Sequence, residues 1–182
     1  MRVIAGRARS LRLKTPEGLD TRPTTDRIKE TLFNMLQPYV PGAVFIDLFS
    51  GSGGIGIEAL SRGAEHAYFV EIQKDALSCI LDNLKFTRFT EKATVLKQDA
   101  LVAIEGIHEK EADIIFMDPP YNQEYERRIL ERLIHMPYVT ENTLIVVEAL
   151  LSTDFSYAEE LGYTIVKDKR YKTNKHVFFK KI

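Results

Sequence analysis

The apolar run Val44-Phe45-Ile46-Asp47-Leu48-Phe49 passes without a break into Ser50-Gly51-Ser52-Gly53-Gly54-Ile55-Gly56. The first half has the length and the β-branched and aromatic content of a buried strand. The second half concentrates glycine, which lets a backbone approach a ligand closely. A buried strand feeding a glycine-rich loop is how open α/β sheets begin their ligand site.

The remainder repeats that rhythm. His66-Ala67-Tyr68-Phe69-Val70 reads as a second strand ending in Glu71, followed by a helix whose apolar stripe is Leu77, Ile80, Leu81 and Leu84. Ala93-Thr94-Val95-Leu96 begins a third strand that ends near Asp99, and Ile114-Ile115-Phe116-Met117 is a fourth. Ile129, Leu130, Leu133 and Ile134 give the next helix its buried face before Met136-Pro137 stops it. Leu144-Ile145-Val146-Val147-Glu148 is a fifth strand, and a short helix through Glu159-Glu160-Leu161 should close at Gly162. Tyr163 to Val166 and Val177 to Phe179 are joined by a connection short enough to force an antiparallel pair. Strands alternating with helices predict a Rossmann-like α/β fold, its mostly parallel sheet covered by helices on both faces. With 182 residues, 45% of them hydrophobic, the chain is expected to form one domain with an ample core. Residues 1–37 would be an N-terminal ribbon and helix packed on a core of residues 38–182.

Acids recur at four strand ends: Asp47, Glu71, Asp99 and Asp118. Together they line the edge where an open parallel sheet binds its ligand. Gly51, Gly53 and Gly56 satisfy the dinucleotide fingerprint, with Glu71 twenty residues after Gly51, about where a ribose-binding acid belongs. Nicotinamide or flavin binding therefore stays open at this point. Asp47 argues against it, because an acid just before the loop repels a pyrophosphate and suits a cation, and S-adenosylmethionine carries both an ammonium and a sulfonium. Phe49, Ser52, Ile72 and Ala100 lie beside these groups and complete the candidate cofactor set, in which Glu71 takes the ribose hydroxyls and Asp99 the adenine amine. As a bare residue Asp99 reads equally well as a helix cap.

The fourth strand runs straight into Asp118-Pro119-Pro120-Tyr121. An exocyclic base amine lacks a localised lone pair, because that pair is spread into the ring. The Asp118 carboxylate and the Pro119 carbonyl could each accept one N–H and draw the nitrogen toward a nucleophilic, tetrahedral shape. Consecutive prolines hold φ near −65° and so aim that carbonyl in advance. Tyr121 offers a face for the base to stack on, worth about 1–3 kcal/mol in single-stranded sites. A plain turn would explain the prolines and the acid, but not the tyrosine.

The net charge of −1 hides a division. Arg2, Arg7, Arg9, Arg12 and Lys14 stand without an acid in the first fourteen residues, and residues 167–182 carry a net +6, which leaves the middle at −12. Basic ends on an acidic body suit a polyanion that docks at particular places. Arg2, Arg7, Arg9, Arg12, Arg22, Lys172 and Lys175 are the candidate contacts with such a polyanion. Val3, Ile4, Leu11 and Leu13 make the N-terminal arm read as a pair of strands with Gly6 near the turn. Arg22-Pro23-Thr24-Thr25-Asp26 then leads into a helix with Ile28, Leu32, Phe33 and Leu36 on its apolar face, capped by Thr25 or Asp26.

Cys79 falls on the apolar side of a helix and reads as core, and one cysteine suits the cytosol. The four histidines lack ligand spacing, so no metal is expected. No apolar run is long enough for a membrane-spanning helix, and from Met1-Arg2-Val3 no signal peptide is expected.

Several stretches together resemble a known family. They are Arg2-Val3-Ile4-Ala5-Gly6, Arg22 through Glu30 with Leu32-Phe33-Asn34, Asp47 through Ala64, and Asp118-Pro119-Pro120-Tyr121. In order and extent they are similar to the bacterial 16S ribosomal RNA guanine-N2 methyltransferases, the RsmD family. The resemblance implies a class I S-adenosylmethionine-dependent methyltransferase with seven strands in the order 3-2-1-4-5-7-6. It implies methyl transfer to N2 of one guanine in the 16S ribosomal RNA of the small subunit. The expected substrate is a protein-bound small-subunit particle, and the chain is expected to act in the cytoplasm as a monomer. One departure stands near the end of the chain. The family places a glycine after the aromatic residue of the last strand pair, whereas here Tyr171 is followed by Lys172-Thr173-Asn174-Lys175, with Asn174 able to take left-handed geometry. Adenine-N6 methylation of DNA, nicotinamide-dependent oxidation and non-catalytic RNA binding remain as alternatives.

Overall fold

The computed structural model describes residues 1–17, 25–121 and 123–182. Seven strands form one sheet: β1 Val44–Asp47, β2 His66–Val70, β3 Ala93–Leu96, β4 Ile114–Met117, β5 Leu144–Leu150, β6 Tyr163–Arg170 and β7 Asn174–Lys181. Their order is β3-β2-β1-β4-β5-β7-β6, parallel through β5, with β7 antiparallel to both neighbours. Among the described residues five α-helices accompany them: α1 Asp26–Leu36, α2 Gly54–Ser61, α3 Lys74–Thr87, α4 Ala100–Gly106 and α5 Tyr125–Leu133.

Alternation along the strands divides the core in two. Phe45, Phe69, Ile114, Phe116, Val146 and Phe178 face α1, α2 and α3 through Leu32, Phe33, Leu36, Leu60, Ile80 and Leu84. Ile46, Ile115, Met117, Ile145, Val147 and Phe179 face α4 and α5 through Ala103, Ile104, Ile129, Leu130 and Leu133. Burial on both faces explains why the central strands read as unbroken apolar runs. Among the described residues no helix is long and apolar enough to cross a membrane.

The N-terminal arm differs from the expected strand pair. Only an isolated bridge joins Arg2 to Arg12, reinforced by Val3 N–H to Leu11 O at 2.9 Å and Ser10 N–H to Val3 O at 2.8 Å. Other backbone groups of the arm bond to α2, and Lys14 N–H and O both pair with Asn83 on α3. Arg7 N–H donates to Ser61 O at 2.8 Å and Ala8 N–H to Ser61 Oγ at 2.9 Å. Gly6 sits at φ 83° against the Ser61 backbone, where a Cβ has no room.

A buried polar cluster beneath the arm has no counterpart in the apolar pattern. The Glu58 carboxylate on α2 accepts from Ile4 N–H at 2.8 Å, Ala5 N–H at 3.1 Å and Arg62 Nε at 2.8 Å. Lys29 Nζ lies 3.3 Å from it and donates to Arg2 O. Lys29 and Glu58 are both fully buried. Burial holds the Lys29 ammonium below its ordinary range, against the opposing pull of Glu58.

Smaller expectations also shift. Leu81 is exposed, because it stands one residue off the line of Leu77, Ile80 and Leu84. Ile28, Cys79 and Ile134 are half-buried at the edges of their helix faces. In place of the short helix before Gly162 there is a 3-10 turn, Ser156–Ala158, and Gly162 ends the following turn at φ 91°. Asn174 is not left-handed; it starts β7, and its carbonyl accepts from Tyr171 N–H at 2.8 Å.

Candidate active site

The carboxyl ends of β1 to β5 converge on one edge of the sheet. β1 delivers Asp47, whose carboxylate oxygens are both buried without a hydrogen-bond partner among the described residues. Burial pushes this group up to about 7, opposed by the nearby Phe49 N–H and assisted by the Glu71 charge. The Phe49 and Gly56 N–H groups and Ser50 lie near but outside normal hydrogen-bond geometry, so the buried carboxylate is only weakly satisfied and favours a cation beside it.

After β1 the chain turns through Gly51 at φ 54° and Gly53 at φ 83°, conformations that favour glycine. Ser50 Oγ donates to Asp47 O at 2.9 Å and Asn83 Nδ2 to Ser52 O at 2.9 Å, which hold the loop. Gly56 has a different task. A Cβ there would run into the Phe69 ring, so this glycine allows α2 to lie close on β2.

Glu71, at the end of β2, is a loop anchor. One oxygen accepts from Gly51 N–H at 2.9 Å, the other from Ile72 N–H and Gln73 N–H at 2.8 Å each. Carboxylate oxygens have further lone pairs, so this bonding still leaves capacity for a ligand hydroxyl. Ile72 is 57% exposed beside it. Asp99 is the N-cap of α4, accepting from Leu101 N–H at 2.9 Å, while its other oxygen lies 3.4 Å from Tyr125 Oη. Ala100 is buried in the first turn of α4, and the half-buried Phe49 ring packs edge-on against Tyr125.

Asp118 follows β4 directly. Burial, reinforced by the charges of Glu148, Asp47 and Glu126, holds its carboxyl well above the usual carboxylate range. Pro119 is buried, Pro120 exposed, and Tyr121 is 42% exposed at the rim. The edge thus holds a buried acid, a glycine loop, a second desolvated acid and a half-exposed aromatic ring.

Glu148 belongs here and was not among the four acids singled out from sequence. The β4 and β5 register pairs Met117 with Val147, which sets Asp118 beside Glu148. The signal was present, since Glu148 is a lone charge inside the apolar stretch Leu144 to Leu151.

Of the basic candidates, Arg2, Arg7, Arg9, Arg12 and Lys172 are exposed. Arg2 is paired with Asp26 at 2.8 Å. Lys175 is corrected: it is buried, donates to Thr153 O at 2.8 Å and lies over the Phe155 ring, so it holds the strand and does not face a ligand. Arg22 lies outside the described residues. Among the described residues no cluster of three or more His, Cys, Asp or Glu is placed to hold a metal ion.

The seven-stranded sheet with its antiparallel β7, the glycine loop after β1 and the acids at successive strand ends define a class I methyltransferase fold. The chain belongs to the family described as Conserved hypothetical protein 95, the RsmD family, which it matches over residues 1–180. It is 35% identical to the ribosomal RNA small subunit methyltransferase D of Haemophilus influenzae, over 93% of this chain and 88% of that protein. With the Escherichia coli protein of the same name the identity is 34%, over 82% and 74%. A solved Haemophilus influenzae structure superposes with a TM-score of 0.82 at 29% identity, covering 100% of this chain and 98% of that one.

Proposed function

We propose that this protein transfers a methyl group from S-adenosylmethionine to N2 of a guanine in 16S ribosomal RNA. The observation that carries the reading is the pair of desolvated acids on adjacent strands. Asp47 is buried with no hydrogen-bond partner among the described residues, and Asp118 sits at a proline-fixed turn one strand away. S-adenosylmethionine supplies an electrophilic methyl group on a cationic sulfur, and the chemistry of Asp47 suits that cation. Gly51, Gly53, Glu71, Ile72 and Asp99 would hold the nucleoside part. On the other side Asp118 and the Pro119 carbonyl accept the two N2–H bonds, and Tyr121 stacks the base. The N2–methyl bond then forms as the sulfur–methyl bond breaks, with the pair left on sulfur and the proton passing from nitrogen to Asp118 or water. Orientation supplies much of the rate.

Ribosomal RNA as substrate is supported by the names of the relatives and by the exposed arginines of the arm. The single-domain organisation, with residues 1–37 serving the core, belongs to the same reading, as do action on a small-subunit particle, a monomeric state and a cytoplasmic location. The test is to incubate the protein with methyl-labelled S-adenosylmethionine and small subunits lacking base methylation, then to digest the RNA and identify the labelled nucleoside by mass spectrometry. N2-methylguanosine at one site is expected, and Asp118→Ala should abolish it while cofactor binding persists. Label on adenine would overturn the reading.

A further inference from the structure

The acceptor half of the site contains a buried acid with two dedicated partners. Glu148 Oε1 accepts from Asn174 Nδ2 at 2.7 Å, and Oε2 lies 3.0 Å from His176 Nε2. His176 is fully buried, and its Nδ1 is 3.1 Å from Tyr171 Oη. Both partners come from β7, the strand on the side of Glu148 away from Asp118. The carboxylate is therefore held from behind, toward the strand that carries the amine-binding turn.

Its face of the sheet is settled by packing. Glu148 continues the alternation of Leu144 and Val146, which lie in the core cluster of Phe116, and His176 packs edge-on against the Phe116 ring at 6.1 Å. Asp47 stands on that same face, two residues after Phe45. The other buried acid acting on Asp118 is Glu126, in the first turn of α5, a helix packed on the opposite face. Glu148 is thus the acid that shares both the strand register and the sheet face of the site.

Guanine presents N1–H directly beside its N2 amine. If Asp118 and Pro119 take the two N2–H bonds, the N1–H enters a desolvated slot and needs an acceptor of its own. We infer that Glu148, fixed by Asn174 and His176, accepts guanine N1–H and so determines the base that the slot takes. This rests on the guanine-N2 reading given above. Adenine, which offers a bare N1 lone pair beside its amine, would meet the carboxylate with repulsion. One strand-end acid therefore prepares the amine, and its neighbour reads the adjacent ring position.

The experiment replaces the mapped target guanine by 2-aminopurine in a reconstituted small subunit. That base keeps the 2-amino group and has a bare N1 in place of N1–H. Wild-type protein should methylate guanine about 10- to 100-fold faster than 2-aminopurine under single-turnover conditions, the range of one lost specific base contact. Glu148→Gln, whose amide can donate to a bare N1, should narrow or reverse that ratio while cofactor affinity stays unchanged. His176→Gln retains a donor to Glu148 and should keep the wild-type preference. Equal wild-type rates on the two bases would overturn the inference with no variant needed, and so would a folded Glu148→Gln protein with the wild-type ratio. If wild-type protein labels no guanine at all, the N2 reading itself falls, a result separate from loss of discrimination.

Discussion

Replacing Asp47 by Asn should make the pH dependence of stability visible. The Asp47 carboxyl is raised from 3.8 to about 7, and burial is the main cause. A shift of that size corresponds to roughly 4 kcal/mol at 1.36 kcal/mol per unit. Because the folded value is the higher one, the folded state holds a proton that the unfolded chain has released. Its contribution is complete below about pH 3.8 and is lost as pH rises through 7. Above that, wild-type protein carries a buried unpaired charge and Asp47→Asn does not. Between pH 5 and pH 8 the stability of Asp47→Asn relative to wild type should therefore rise by about 3 kcal/mol. That corresponds to roughly 6–12 °C in Tm for a chain of this size. Urea melts of both proteins across this interval measure the change, and subtraction cancels Asp118, which titrates in each, apart from its coupling to Asp47. Saturating S-adenosylmethionine should reduce the wild-type loss, and its affinity should strengthen as pH rises. Parallel stability curves for the two proteins would refute the argument.

Glu58→Ala should cost about 4 kcal/mol, because it strands the buried Lys29 cation as well as the Ile4 and Ala5 N–H groups. Lys29→Met should cost less than half of that, since Arg62 and both N–H groups still serve Glu58; paired thermal melts give the comparison. Gly56→Ala should lose about 1–3 kcal/mol by driving a methyl group into Phe69, read from the urea midpoint. Arg9→Ala should lower the salt dependence of RNA binding by about 0.7 in log–log slope, as one lost phosphate contact does. Lys175→Ala should leave that slope unchanged and reduce Tm instead, because its ammonium bonds Thr153 O.

The sheet was legible because each central strand is covered on both sides, and that geometry requires an unbroken apolar run wherever it occurs. Glu71 and Asp118 stood out as charges placed where an apolar run stops, and Asp47 as a lone charge within one, just before the glycine loop. Lys29 and Glu58 were not legible. Each looks like a solvated helix charge, and only the arm folding over α2 turns them into a buried pair. Lys175 misled in the opposite direction. It sits in a basic stretch, but alternation in β7 places it against Thr153 and Phe155.

Local chemistry along the chain was sufficient for the strand and helix rhythm, the turn glycines at 51 and 53 and the position of the Asp118 turn directly after β4. Each depends on side chains and backbone angles within a few residues of one another. The register of β5 on β7 decided the rest, by joining Glu148 to Asn174 and His176 across 26 and 28 residues of sequence. Such a pairing follows from how an antiparallel strand closes the sheet, and hydrophobic periodicity carries no record of which polar groups will then meet.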